Sequence, residues 1–134
     1  MRMTVACVQS QALMLEGALA LEELYLRLSR WTIEAIESHD TGDWHTSEAR
    51  IAKAIALLGF MDRTIDVSSD YEIATSILSL HRFAIGALIR ARVERSTAAL
   101  DGLPSVFVSL AEVFALMAAR IETSGPGALV TGSN

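Results

Sequence analysis

The chain has 134 residues, a formal net charge of −5, and 51% hydrophobic against 20% charged residues. Acidic and basic residues are interleaved without a basic run, which argues against a nucleic-acid partner, because phosphates require a positive protein surface. The length fits one domain large enough to bury a core, and the abundance of Ala and Leu favours packed helices over sheet or disorder.

Cysteine use and hydropathy bear on where the protein resides. Cys7 is the only cysteine and cannot form an internal disulfide, which suits a reducing compartment. The amino-terminal apolar run turns polar at Gln9, too soon for a secretory signal. The most apolar later run, 106–119, is interrupted by Ser109 and Glu112 and is too short to span a bilayer. We therefore expect a cytoplasmic protein that does not insert into membranes.

The first half of the chain predicts three helical segments. Residues from about 4 to 15 predict a short helix that Gly17 ends or kinks. Apolar residues at helical spacing then predict a longer helix over about 18–38, which the turn-forming stretch "SHDTGD" ends. The same spacing predicts another helix over about 46–65.

The second half predicts two more helices. Ser69 and Glu72 have the spacing of a capping box and predict the start of a helix that runs to about Leu100. Pro104 suits the first turn of the last helix, where its missing N–H is not needed. Short loops between long helices predict an all-α fold, an antiparallel up-and-down four-helix bundle with a short additional N-terminal helix. We assign residues 1–123 to this bundle and residues 124–134, rich in small and breaker residues, to a flexible tail.

The fourth predicted helix, "DYEIATSILSLHRFAIGALIRA", is apolar on most sides. Its apolar residues cover about 240° of helical arc, whereas a surface helix needs roughly 100°. A narrow polar strip lies opposite: Thr75, Ser79, Arg82, Gly86 and Arg90. Such a helix either lies centrally in its bundle or offers one face to a partner, and a bundle this small encloses few helices completely, so we expect some apolar surface to remain for a partner. His81 lies within the arc, as a hydrogen-bonded core residue or a groove-lining residue.

The stretch "HDTGDWH", His39–His45, places two His and two Asp within seven residues. A metal site needs convergent ligands from elsewhere in the chain, and these residues lie where one helix ends and another begins. Helix capping is therefore the favoured interpretation, and we predict no metal or cofactor.

No sequence pattern of a nucleophilic triad, phosphate loop or helical Glu-x-x-His pair is present. Chorismate mutases are helical proteins of similar size that hold a dicarboxylate between converging cations, so a small enzyme of that kind is an alternative. The cations available for that role are Arg27, Arg30, Arg50, Lys53, Arg63 and Arg82. They lie mostly on polar faces, where solvated charges and i,i+4 partners are the simpler interpretation, so we expect no enzyme.

Residues Glu72–Ala91, "EIATSILSLHRFAIGALIRA", resemble the signature helix of the flagellin export chaperones, the FliS family, whose pattern is "EIAxNLxxLYxYMxxRLxxAN". Upstream, "AIESHD" resembles the family's "AIExGD", Lys53-Ala54 its "KA", "ACVQSQ" its "AYxxxQ", and Leu24-Tyr25 its "LY". The likeness extends from about residue 6 to residue 122.

Several positions depart from the family pattern. Cys7 replaces the usual amino-terminal Tyr, and His81 replaces the Tyr of the signature helix. Ala87 and Arg92 replace its Arg and Asn. The chain is therefore identified as a divergent member.

The resemblance implies an antiparallel helical bundle in the cytoplasm that binds the disordered carboxy-terminal segment of flagellin. It implies that binding prevents premature polymerisation and aids delivery to the flagellar type III export apparatus, with an export-gate component as a further partner. The partner-binding residues that we expect from the resemblance are Tyr25, Met61, Ile65, Ile77, His81, Ala84 and Leu88. We expect Ala84→Glu to abolish client binding while helicity stays near normal. The alternative is a helical adaptor or dimerisation module for another partner.

Overall fold

The computed structural model of the chain describes residues 5–65 and 71–123. These residues contain four α-helices, and no strand occurs among them. The helices are α1 (Val5–Asp40), α2 (Trp44–Thr64), α3 (Tyr71–Glu94) and α4 (Leu103–Thr123), with a short 3-10 helix (Ala98–Leu100) before α4. The all-α class is confirmed, and the antiparallel bundle arrangement stays a prediction. Ser69, the tail 124–134 and the side chain of Cys7 lie outside the part that can be described.

The separate amino-terminal helix is not confirmed, because residues 5–40 form one continuous helix. Gly17 lies inside this helix and does not end it. A single glycine costs a helix only about 1 kcal/mol relative to alanine, and the good helix formers on both sides outweigh that cost.

The turn between α1 and α2 is built as the sequence predicts. Gly42 has a positive φ of 84°, which a residue without a Cβ adopts without strain. The amide of Asp43 donates to the carbonyl of Ser38 at 2.8 Å, and that of Gly42 donates to the carbonyl of His39 at 3.0 Å. These two bonds form a Schellman motif, which satisfies the last carbonyls of α1 and turns the chain into α2.

Helix α3 ends earlier than the sequence predicts, at Glu94 instead of about Leu100. Arg95 has a φ of 52°, and the amide of Ser96 donates to the carbonyl of Ala91 at 3.1 Å. The positive φ and this hydrogen bond both have counterparts at the end of α1, but here an arginine occupies the position that glycine usually takes. The missing glycine explains why the sequence signal for the end was absent.

Residues 28–106 form one compact unit, whose described part includes all of α2 and α3. Its core contains buried apolar side chains from each helical segment: Leu28, Ala35, Ile51, Ala54, Leu58, Met61, Ala74, Ala84, Leu88, Ala91, Leu100 and Leu103. The Ser47 hydroxyl donates to the carbonyl of Ala35 at 2.8 Å, and Arg50 Nε donates to Glu34 Oε2 at 2.6 Å. These two bonds tie α2 to the second half of α1.

The other compact unit comprises the first 27 residues together with residues from 107 onward, described over 5–27 and 107–123. The rings of Tyr25 and Phe114 stack in it with centroids 5.6 Å apart and an interplanar angle of 16°. Buried Ala18, Phe107 and Ala111 belong to the same unit. An aromatic pair therefore joins α1 to α4 here.

Candidate functional site

Five of the seven predicted partner-binding residues are buried. Tyr25, Met61, His81, Ala84 and Leu88 each expose 1% or less of their surface. Ile65 and Ile77 are half-buried. Buried side chains have no surface to offer in this conformation. Their direct contact with a partner stays a prediction that requires the core to open.

His81 is a hydrogen-bonded core residue, one of the two interpretations that the sequence allowed. Its Nδ1 lies 2.5 Å from Oδ1 of Asp62, and the imidazole is fully buried while the carboxylate side chain is 25% exposed. The pair joins α2 to α3, which pack against each other. Its charge-assisted geometry fixes the rotation of α3 about its own axis, because only one side of the helix can direct residue 81 at Asp62.

Helix α3 has two apolar sides, which differ in their surroundings. One side is the inner stripe, defined as the buried residues Ala74, His81, Ala84, Leu88 and Ala91. The other is the α3 seam, defined as Ile73, Ser76, Leu80, Phe83, Ala87 and Arg90. Within the α3 seam, Ile73 is 59% exposed, Leu80 is 39% exposed and Phe83 is 64% exposed.

The residues of the α3 seam alternate at intervals of three and four positions. This is the spacing at which one helix packs lengthwise against another, since it keeps a single row of side chains facing the neighbour. Among the described residues of the seam, Leu80 and Phe83 are 39% and 64% exposed. The arrangement is therefore suited to receive a further apolar or amphipathic segment.

One end of the α3 seam opens into a shallow depression of about 380 Å³. Its lining comes from α3 and the 3-10 helix: Arg82, Phe83, Gly86, Ala87, Arg90 and Ala99. Phe83, Ala87 and Ala99 supply apolar walls, and the two arginines supply positive charge. The sequence marked Arg82, Gly86 and Arg90 only as a polar strip and did not predict the depression.

The "HDTGDWH" stretch serves the turn between α1 and α2. Asp43 Oδ1 accepts from the amide of Thr46 at 3.0 Å, and Oδ2 accepts from its hydroxyl at 2.6 Å. These hydrogen bonds from Thr46 hold the pKa of the Asp43 carboxyl below its usual value. Within the described residues no group of three or more His, Cys, Asp or Glu side chains is placed to hold a metal ion.

Most of the six cations considered for a mutase-type site are exposed side chains. Five of them are exposed: Arg27, Arg30, Lys53, Arg63 and Arg82. Arg50 is half-buried and pairs with Glu34. Solvated charges and an ion pair with Glu34 are therefore the roles that the described residues show for these cations.

The unit formed by residues 5–27 and 107–123 carries an apolar surface of its own. Its exposed large residues include Leu13, Met14, Val113, Leu116 and Met117. A depression of about 260 Å³ is lined by Gln11, Met14, Arg120 and Ile121. Methionine side chains adapt to differently shaped partners, so this surface is a second candidate contact region.

Two segments, Tyr71–Glu94 and Ala98–Thr123, are long and apolar enough to cross a membrane by length and composition alone. The run 106–119 is too short to span a bilayer, but these two helical segments are longer, so length alone does not exclude a membrane span. Two such helices are weak evidence for a membrane protein, because core helices of proteins outside membranes pass the same test.

A helical chain that keeps large apolar side chains of α3 in solvent has the surface expected of a helical binding protein. The model of one family, described as "Flagellar protein FliS", matches residues 8–121, which is most of the chain. The chain therefore belongs to the FliS family, as the resemblance of the signature helix predicted, and membership implies a flagellin export chaperone in general. Comparison with curated proteins and with solved structures gave no match.

Proposed function

We propose that this chain is a cytoplasmic chaperone that binds the disordered carboxy-terminal segment of flagellin along the α3 seam. Binding keeps the segment from polymerising early and helps deliver it to the flagellar type III export apparatus. The observation that carries this proposal is the exposure of Ile73, Leu80 and Phe83 on the helix that resembles the family's signature.

The physical reason lies in the nature of the client. A segment that assembles with its own kind through an apolar face is held apart when that face is buried on another protein. The α3 seam offers large side chains at helix-packing intervals, so the client can order as a helix against it. Ordering costs conformational entropy, which lets a large contact surface operate at modest affinity and permits release during export.

The predicted contact residues have a supporting role in this account. His81, Ala84 and Leu88 lie on the inner stripe, where their burial anchors α3. With this side of the helix buried, the large residues of the seam face solvent. Ile77 lies on the same side of α3 as the inner stripe but is half-buried, so part of its surface is open to a client. The proposal therefore moves the contact surface from the inner stripe to the seam of the same helix.

The decisive variant is Phe83→Glu, measured by calorimetry with the carboxy-terminal flagellin segment of the same organism. We expect affinity to fall by at least about tenfold, because a carboxylate replaces an aromatic anchor in the contact. Helicity by circular dichroism should be unchanged, because Phe83 is 64% exposed and leaves the core intact when replaced.

Phe60→Glu is the matched control. Phe60 is 52% exposed on α2, and it lies two residues before Asp62, the residue that faces α3. Two residues correspond to about 200° of helical turn, so Phe60 points away from α3. Its replacement should change affinity by less than about twofold. Unchanged affinity in Phe83→Glu, with binding otherwise intact, would remove the seam from the client interface.

A second candidate function is a helical adaptor or dimerisation module. The exposed residues Leu13, Met14, Leu116 and Met117 favour it, because they give the other unit an apolar surface distinct from the α3 seam. Sedimentation velocity of the wild type and of Leu116→Glu tests it. A dimer that the variant dissociates supports this function, and a wild-type monomer at high concentration argues against self-association.

A further inference from the structure

The depression at the end of the α3 seam is lined by a glycine, which has no side chain, and by two arginines. Arg82, Gly86 and Arg90 follow one another at intervals of four residues, so they lie close to one line along α3. Gly86 forms the floor between the two arginines. A Cβ built on Gly86 meets no heavy atom within 4 Å, so the space above it is open.

Nothing in the fold requires glycine at position 86. The residue lies in the interior of α3 with no positive φ, and an added methyl group has no clash to avoid. Glycine is among the poorest helix formers, so its presence destabilises α3, and no backbone conformation or close contact at this position requires it. A glycine in such a position permits close approach by another molecule.

The charge around the depression is opposite to that of the whole chain. Residues 82–95 contain four arginines and one glutamate, whereas the chain as a whole has a net charge of −5. Among the described residues Arg82 makes no ion pair or hydrogen bond. Arg90 donates from Nε to Glu94 at 2.9 Å, which leaves its terminal amino groups available as donors.

We propose that this depression is a subsite for a carboxylate side chain on the helix that the chaperone binds, held between the guanidinium groups of Arg82 and Arg90. The inference rests on the proposed function, since it specifies the chemistry of the client segment. The client carries an Asp or Glu at the edge of its apolar face, and the apolar residues beside that carboxylate contact Phe83 and Ala87.

Charge complementarity selects this occupant. Arginine presents a planar fork of N–H donors that matches a carboxylate, and Phe83 and Ala99 line the depression beside the arginines with apolar surface. The acidic remainder of the chain repels an anion that docks elsewhere, so an acidic client segment is directed to this basic end of α3.

A double-mutant cycle tests the subsite. The full-length double variant Arg82→Gln/Arg90→Gln is titrated with the flagellin carboxy-terminal segment and with versions in which each Asp or Glu is changed singly to Asn or Gln. We expect the double variant to bind the unmodified segment about fivefold more weakly at low salt. One particular client carboxylate should lose its effect on affinity when the arginines are absent. The variant Arg30→Gln/Arg63→Gln removes two exposed charges elsewhere and should leave affinity within twofold.

A second pair of variants tests the role of Gly86. Gly86→Ala and Gly17→Ala both place a methyl group in open space inside a helix, so both should raise the melting temperature. Only Gly86→Ala should weaken client binding, because only it narrows the depression. Equal affinities for the two variants would show that no client atom approaches position 86.

The outcomes separate the subsite from the proposed function. Binding of the segment without coupling to any carboxylate overturns the subsite and leaves the chaperone function standing. Absence of binding to the wild-type chain overturns both. A carboxylate that couples to Arg30 and Arg63 as strongly as to Arg82 and Arg90 shows only a general charge effect and also overturns the subsite.

Discussion

The two sides of α3 differ in the size of their side chains, and the larger side chains are on the exposed side. The inner stripe consists mainly of alanines together with His81 and Leu88, whereas the α3 seam carries the larger Ile73, Leu80 and Phe83 in solvent. Burying a large apolar side chain stabilises a fold by about 1.5–3 kcal/mol, so a helix built only for stability would turn its large residues inward. The small inner residues let α3 approach its neighbours closely, and the large outer residues are available to a partner.

Glutamate placed on each side of α3 should give the largest difference. Ala84→Glu buries a carboxylate in the core and should destabilise by roughly 3–5 kcal/mol, the cost of an uncompensated buried charge. Phe83→Glu should change stability by no more than about 0.5 kcal/mol. Urea unfolding followed by circular dichroism measures both.

The sequence alone predicts that Ala84→Glu abolishes binding while helicity stays near normal, and the burial of Ala84 argues against normal helicity. Ala84 is only 1% exposed, so we expect its replacement to destabilise the core, and a loss of binding in this variant does not by itself report on the interface. A folded, stable Ala84→Glu variant would show that the inner stripe is not closely packed.

Truncation of a leucine on each side should give a smaller contrast. Leu88→Ala removes a fully buried side chain and should cost about 2–5 kcal/mol, including the cavity that it leaves. Leu80→Ala should cost less than about 1 kcal/mol, because that side chain is already 39% exposed. Leu80→Ala should, however, weaken client binding. Leu88→Ala should therefore have the larger effect on stability, and Leu80→Ala should be the variant whose main effect is on affinity. Equal losses of stability would contradict the division of α3 into two sides.

The His81–Asp62 pair should have an intermediate effect. Asp62→Ala removes a hydrogen-bond partner of the fully buried imidazole and should destabilise by about 1–3 kcal/mol. Glu23→Ala, which breaks the exposed pair with Arg27, should cost less than about 1 kcal/mol. Equal unfolding midpoints for the two variants would argue that the pair does not fix the rotation of α3.

Substitution of Asp43, the exposed capping residue at the start of α2, should have the smallest effect on stability, and this effect should depend on pH. Folding lowers the pKa of Asp43 from 3.8, so its stabilising contribution is complete above that value and is lost as the pH falls through the lowered pKa. Asp43→Ala should therefore lower the melting temperature at neutral pH, and the deficit should shrink in acid. Asp43→Asn keeps a good capping side chain without the charge and should show less pH dependence. A deficit that is constant with pH would contradict a charged cap.

The sequence was sufficient for the helical class and for the turn around Gly42, because glycine, capping residues and apolar spacing act locally. It was insufficient for the end of α3, where Arg95 adopts a conformation that usually needs glycine. It was also insufficient for the site. Periodicity measured an apolar arc on α3, but it contains no information on which part of that arc the neighbouring helices cover. Three of the seven predicted contacts, His81, Ala84 and Leu88, lie on the inner stripe.

Fluorine NMR offers the most direct test, because the chain has four phenylalanines in contrasting places. Phe60 and Phe83 are exposed, and Phe107 and Phe114 are buried. With fluorophenylalanine incorporated and each resonance assigned by substitution, saturating flagellin carboxy-terminal segment should shift the signal of Phe83 and leave that of Phe60 in place. A Phe83 signal that stays unchanged while the segment is bound would contradict the claim that the outer side of α3 receives the client.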